Sequence, residues 1–231
     1  MKNLALIPAR SGSKRIKDKN IKPFDGTPLL KSAIEKANKS NLFETVHVST
    51  DSEIYAELAV QWGADASFIR SETNSDDFAT TLDVIKEVHQ TFKEAGSEFS
   101  HIFCLYCTSP FVEIQQISES YEVLKRGFDT VFAVTEFDFP PQRAFYIDAG
   151  KIAFVDPALA NARSQDLEPR LHDAGQFYWL KTEEIHKRNT LITQNTGYYH
   201  LDPIQCQDID TPDDWEIAEF KYEYLKRSKR K

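Results

Sequence analysis

The chain has 231 residues, enough for one α/β domain with a real core and a small appended element, but not for two full domains. With 28 Lys and Arg against 36 Asp and Glu its formal net charge is −8, which excludes a general nucleic-acid or anionic-membrane surface and makes any basic cluster local. No apolar run approaches the ~20 residues that cross a bilayer and the N-terminus reads directly into a strand, so a cytoplasmic protein is expected, with no membrane partner.

In chain order, apolar runs rich in β-branched and aromatic residues fall at 4–7, 46–49, 102–106 and 130–134. They alternate with stretches of helical spacing at 29–38, 52–62, 80–92 and 114–125. That alternation predicts an α/β fold with a doubly wound, mainly parallel sheet. After Val134 the texture changes. Phe139-Pro140-Pro141 interrupts the alternation, and short strand-like pieces at 145–147, 152–155 and 177–180 predict a small antiparallel insertion at about 137–182. A final helix is signalled by Thr211 as N-cap, Pro212 at the first helical position, and Asp213 and Asp214 at the positive end of the helix dipole. It is expected to end near Leu225, leaving 226–231 as a solvated basic tail. Cys104 and Cys107 share the spacing of a redox pair, but Cys104 lies inside an apolar run and no helix starts between them. Buried core and loop thiols are therefore expected.

In such a sheet ligands bind beyond the carboxyl ends of the strands. The first segment there is Arg10-Ser11-Gly12-Ser13-Lys14-Arg15, continuing to Lys17, Lys19 and Asn20. A glycine allows close backbone approach and successive N–H groups form an anion-binding concavity, so the loop suits a nucleoside triphosphate. It is neither a Walker loop nor a Gly-x-Gly-x-x-Gly fingerprint, and by composition a solvated basic loop is an equal alternative. Near the other end Asp208 and Asp210, two residues apart, project to one side of an extended backbone and repel. A hard divalent cation such as Mg²⁺ relieves that repulsion while bridging to phosphate. A helix-capping role is the competing reading.

The run Leu6-Ile7-Pro8-Ala9-Arg10-Ser11-Gly12-Ser13-Lys14-Arg15, followed by Lys19-Asn20-Ile21, resembles the N-terminal signature of the CMP-sialic-acid synthetases and related nucleotidyltransferases. The resemblance continues at Val48-Ser49-Thr50-Asp51, at Arg70 with Asp76-Asp77-Phe78-Ala79-Thr80-Thr81, at Thr108-Ser109-Pro110, and at Asp208-Ile209-Asp210-Thr211. His172-Asp173-Ala174-Gly175-Gln176-Phe177-Tyr178-Trp179, with 164–169 and Pro141-Gln142-Arg143-Ala144-Phe145 upstream, is similar to the pseudaminic acid cytidylyltransferase branch.

The resemblance implies the nucleotide-diphospho-sugar transferase type of Rossmann-like fold. It implies attack of a nine-carbon sugar's anomeric hydroxyl on the α-phosphorus of CTP, with Arg10, Lys14 and Lys19 stabilising developing charge. Implied nucleotide contacts are Ala9, Arg10, Ser11, Gly12, Ser13, Asn20, Arg70, Asp77, Thr81 and Tyr106. Implied sugar contacts are Thr108, Gln142, Arg143, His172, Asp173, Gln176 and Tyr178, with Asp208 and Asp210 on Mg²⁺.

A homodimer built through the insertion is also implied. This sequence departs from the sialic acid branch at Tyr106 and Cys107 and at the His172-Asp173 pair, so sugar recognition must differ there. Asp173→Asn is expected to alter sugar affinity and leave CTP binding intact. The alternatives are N-acylneuraminate or legionaminate as the sugar, a glycosyltransferase consuming a nucleotide sugar, and a nucleotide-binding module without catalysis. No general base is evident, and the sequence is compatible with one or two metal ions.

Overall fold

The computed structural model describes residues 2–183 and 185–228; the last three residues of the expected basic tail lie outside these. In chain order the strands are β1 (Asn3–Pro8), β2 (Pro23–Phe24), β3 (Thr27–Pro28), β4 (Thr45–Ser49), β5 (His101–Leu105), β6 (Thr130–Glu136), β7 (Phe145–Asp148), β8 (Lys151–Phe154), β9 (Leu171–Lys181) and β10 (Thr196–His200). The helices are α1 (Leu29–Lys39), α2 (Glu53–Gln61), α3 (Thr81–Glu94), α4 (Ile114–Leu124) and α5 (Pro212–Ser228).

Six strands form the central sheet in the order β10-β6-β9-β5-β1-β4. All its neighbours pair in parallel except β9, which runs antiparallel between β5 and β6. Alternate residues along each strand feed two cores. Ala5, Ile7, Phe103, Leu105, Phe177 and Trp179 pack with α1, α2 and α4 on one face. Leu4, Leu6, Ile102, Cys104, Tyr178 and Leu180 pack with α3 on the other. Full coverage of both faces explains why the inner strands read as unbroken apolar runs. Cys104 and Cys107 are free thiols that join opposite faces of this arrangement, so the redox spacing has no redox geometry.

Helix starts are specified locally. Ser52 Oγ accepts from the Tyr55 N–H at 3.3 Å, and Thr80 with Asp83 forms a reciprocal capping box on α3. Thr211 caps α5 as expected, its hydroxyl accepting from the Asp214 N–H while Asp214 accepts from Thr211. The helix runs on to Ser228, past the expected end near Leu225, and Lys226 pairs with Asp25 at 2.7 Å instead of trailing into solvent.

A correction concerns 177–180. These residues belong to β9, whose pairing with β5 and β6 places them in the centre of the main sheet, not in the appended piece. The appended antiparallel element that forms is the β7–β8 hairpin alone. Reversal of β9 matters for the site. Its starting residues Leu171 to Gln176 reach the edge at which the parallel strands β1, β4, β5 and β6 end.

Candidate active site

The loop after β1 is built by contacts to the neighbouring strand ends. The Ser11 N–H and hydroxyl both donate to the Asp51 carboxylate, at 2.7 and 3.0 Å, just beyond β4. Asn20 donates to the Arg10 carbonyl at 2.8 Å, and the Cys107 thiol, beyond β5, donates to the Asn20 amide oxygen. A small third core fixes the loop from below: Ile16, Phe24, Leu29 and Phe111 pack with Ile209, Trp215 and Ala218 of the C-terminal region. Ile209 sits between Asp208 and Asp210, so burying it turns both carboxylates away from that core, and burying Ile16 brings the basic loop up beside them.

The result is a cleft of about 540 Å³ lined by Arg10, Gly12, Ser13, Lys14, Arg15, Lys19, Asn20, Arg70, Asp77, Thr81, Tyr106 and Asp210, among others. Four of its five cations meet a carboxylate. Arg10 and Lys14 hold Asp77 at 2.9 and 2.5 Å, and Arg15 and Lys19 hold Asp210 at 2.6 and 3.2 Å. Hydrogen bonds from Lys14 and then Arg10 draw the Asp77 pKa below the ordinary carboxylate value. Asp77 is half exposed, and exposed pairs contribute little net energy, so an incoming polyanion can take over these cations at small cost. Lys19 is the exception: its side chain is 15% exposed and also donates to the Ile209 carbonyl at 2.5 Å. Arg70 is buried beneath the cleft and donates to both the hydroxyl and the carbonyl of Ser49; burial lowers its pKa. Gly12 has open space where a side chain would stand.

A second cleft, about 460 Å³, adjoins the first and shares Tyr106 and Thr108 with it. Glu136, Asp138, His172, Asp173, Asp208 and Lys221 line it. His172 lies against the Phe137 ring, 4.7 Å between centroids, and its Nδ1 faces the Asp173 carbonyl at 2.9 Å. Asp208 and Asp210 stand on either side of the boundary between the clefts. Burial first, then the Asp210 carboxylate, raise the Asp208 pKa, with Lys19 opposing. Two crowded oxygen donors are the chemistry a hard cation requires.

Several of the expected site residues make contacts within the protein. Ala9 is fully buried, its N–H bonded to the Ser49 carbonyl, and the Ser11 side chain is occupied by Asp51. Gln176 is 2% exposed and donates to the Gln205 carbonyl at 2.7 Å. Tyr178 lies in the core with its hydroxyl on Asp173. Gln142, which donates to the Glu168 carbonyl, and exposed Arg143 line neither cleft, because they belong to the segment leading into the β7–β8 hairpin. Asp51 and Arg15 are the structural parts that the expected set omitted. Asp51 was signalled by its place at the end of a strand and by the Val48-Ser49-Thr50-Asp51 run, without a role attached to it.

The sequence profile described as "Cytidylyltransferase" matches residues 4–193. The chain is 36% identical over 224 residues to a pseudaminic acid cytidylyltransferase of Campylobacter jejuni, covering 96% of this chain and 97% of that protein. It is 32% identical to a CMP-N,N'-diacetyllegionaminic acid synthase of Legionella pneumophila, with 95% of each covered. It is also 36% identical to N-acylneuraminate cytidylyltransferase A of Danio rerio, covering 93% of this chain and 49% of that protein. Among solved structures, a CMP:2-keto-3-deoxy-manno-octonic acid synthetase complexed with CTP superposes with a TM-score of 0.71 at 15% identity, over 97% of this chain and all of that one, a likeness of fold. With its basic loop, acidic pair and parallel sheet in place, this chain belongs to the cytidylyltransferase family.

Proposed function

We propose that the protein joins CTP and pseudaminic acid to form CMP-pseudaminate and diphosphate. The observation that carries this reading is the pair of adjoining clefts, one cationic and one lined by His172 and Asp173, meeting at Tyr106, Thr108 and the Asp208–Asp210 boundary. The relatives from Campylobacter jejuni favour pseudaminate over other nine-carbon sugars.

In this reading the sugar's anomeric oxygen forms a bond to the α-phosphorus, the bond from that phosphorus to the bridging oxygen breaks, and diphosphate leaves. Arg10, Lys14 and Lys19 exchange their carboxylate partners for phosphate oxygens, and their charge is in place before the transition state forms. Thr108, His172 and Asp173 orient the sugar. Asp208 and Asp210 are the residues that would hold Mg²⁺, which would supply neutralisation of phosphate charge. Among the described residues no three His, Cys, Asp or Glu side chains gather to hold a metal ion.

The chain also acts as a homodimer in this reading. The β7–β8 hairpin exposes Phe145, Tyr146, Ile147 and Ile152, with Ile147 79% exposed, a patch of the kind that marks association. Gln142 and Arg143 at its base then serve the sugar from the interface. Sedimentation of Ile147→Asp checks this, with a monomer expected. The substrate test offers CTP with pseudaminate, legionaminate or N-acetylneuraminate and follows diphosphate release. Pseudaminate is expected to react fastest; a preference for N-acetylneuraminate overturns the choice of sugar. Release of no diphosphate, with consumption of a nucleotide sugar, overturns the reaction class.

No helix among the described residues is long and apolar enough to cross a membrane.

A further inference from the structure

Arg10, Lys14 and Lys19 have parts in the proposed reaction; Arg15, on the same loop, has none. It lines the cationic cleft, and its Nη2 donates to Asp210 Oδ2 at 2.6 Å. On the other oxygen of that carboxylate, Lys19 Nζ donates to Asp210 Oδ1 at 3.2 Å. Asp210 therefore meets two cations, whereas none is paired with Asp208 among the described residues.

The two cations are fixed to different degrees. The Lys19 side chain is 15% exposed, and its ammonium also donates to the Ile209 carbonyl at 2.5 Å. The Arg15 side chain is 62% exposed and reaches Asp210 with one of its five donors. Asp210 itself is held from behind: its N–H donates to Asp214 Oδ2 at 3.1 Å, and its neighbour Ile209 is buried in the third core. An exposed ion pair contributes little net energy, so Arg15 can leave at small cost while Asp210 and Lys19 keep their anchors.

A divalent cation beside Asp210 Oδ2 would face the Arg15 charge and be repelled by it. The carboxylate is therefore open to such an ion only when Arg15 swings away. The guanidinium released by that swing already lines the cleft that suits a triphosphate, and its planar fork matches a pair of phosphate oxygens.

We propose that Arg15 stands in for the divalent cation at Asp210 until metal and nucleotide arrive, and then passes to the triphosphate. The exchange keeps the carboxylate neutralised at rest and ties metal binding to CTP binding, because the freed guanidinium regains an anionic partner only when phosphate is present. The inference rests on the reading of Asp208 and Asp210 as metal-binding residues and of the cleft as a CTP site.

Two dissociation constants test this on the wild type, Arg15→Gln, Asp210→Asn and the double variant: that of Mn²⁺ without nucleotide, from its electron paramagnetic resonance signal, and that of CTP at saturating Mg²⁺, by calorimetry. Melting curves check that each variant is folded, with Arg15→Ala as a second way to remove the same charge. Arg15→Gln is expected to tighten Mn²⁺ about two- to fivefold, the scale of one exposed ion pair, and to weaken CTP about tenfold, the scale of one charge-assisted contact. The opposite signs are diagnostic, since loss of a merely structural contact would weaken both. Asp210→Asn should weaken Mn²⁺, and adding Arg15→Gln to it should change the Mn²⁺ constant no further. An Mn²⁺ constant that is unchanged or weaker in Arg15→Gln overturns the stand-in role, and a CTP constant unmoved in that variant overturns the transfer to phosphate. Mn²⁺ bound equally by wild type and Asp210→Asn brings down the metal reading itself, and the exchange with it.

Discussion

The two clefts are built on opposite electrostatic plans. In the first, four cations are already aimed inward and each is held by a carboxylate, Asp77 or Asp210, so a polyanion exchanges partners without reorganising the loop. In the second, Glu136, Asp138, Asp173 and Asp208 outnumber His172 and Lys221, and the Lys221 ammonium donates to the Cys206 carbonyl at 2.6 Å. Such a cleft offers acceptors to hydroxyl and amide groups of a sugar and little positive charge to its carboxylate. In the proposed reading the first cleft drives catalysis and the second selects the sugar.

Removal of divalent cation tests the boundary between them and should have the largest effect. With Asp208 and Asp210 left to repel each other and the phosphates, excess EDTA is expected to take diphosphate release below detection, restored by Mg²⁺. Undiminished turnover in EDTA would remove both aspartates from the metal role. Next comes Lys19→Ala, which deletes the most enclosed cation of the first cleft. We expect turnover to fall by on the order of 10³ with sugar KM little changed, as for loss of a charge aimed at the transition state. Near-normal turnover would show that the loop binds phosphate without driving the reaction.

How far the sequence disclosed these two plans follows from the range of the interactions involved. β1, β4, β5 and β6 and helices α1 to α4 were legible within two residues of their ends, because alternation and 3.6-residue spacing are local and Ser52, Thr80 and Thr211 mark helix starts. The basic loop was legible for the same reason. β9 was not. After Leu171 its first residues, His172 to Gly175, are polar or small and sit where the parallel strands end, and nothing local reveals an antiparallel strand between β5 and β6. Gln176 and Tyr178, expected at the sugar from the resemblance, are buried by their strand. The anchoring of the loop by Ile16 and Ile209 joins residues almost two hundred positions apart, and Asp51 acts on Ser11 across neighbouring strands; neither pairing leaves a trace in spacing.

A sharper division of labour is tested at His172, where the effect should be smaller. His172→Ala removes the ring that lines the second cleft and packs on Phe137. Sugar KM is expected to rise about tenfold, the scale of one lost polar contact, while the CTP dissociation constant stays unchanged. A matching rise in the CTP constant would mean that the clefts do not divide the substrates as described.

The smallest effect on activity should come from Gly197→Ala in β10, at the edge of the sheet. A methyl group there would stand 2.6 to 2.9 Å from ring atoms of Phe128, closer than real contacts allow, so the ring or the strand must shift. Overpacking of this kind destabilises by about 1–3 kcal/mol, visible as a lower denaturation midpoint. Among the described residues β10 pairs with β6 alone and none of its residues lines either cleft, so turnover and both substrate constants should hold at temperatures where the variant is folded. A change in sugar KM would show that strain in the β10–β6 pair reaches Thr135 and Glu136. The acidic cleft would then depend on the packing of the sheet edge, as the loop-built cationic cleft does not.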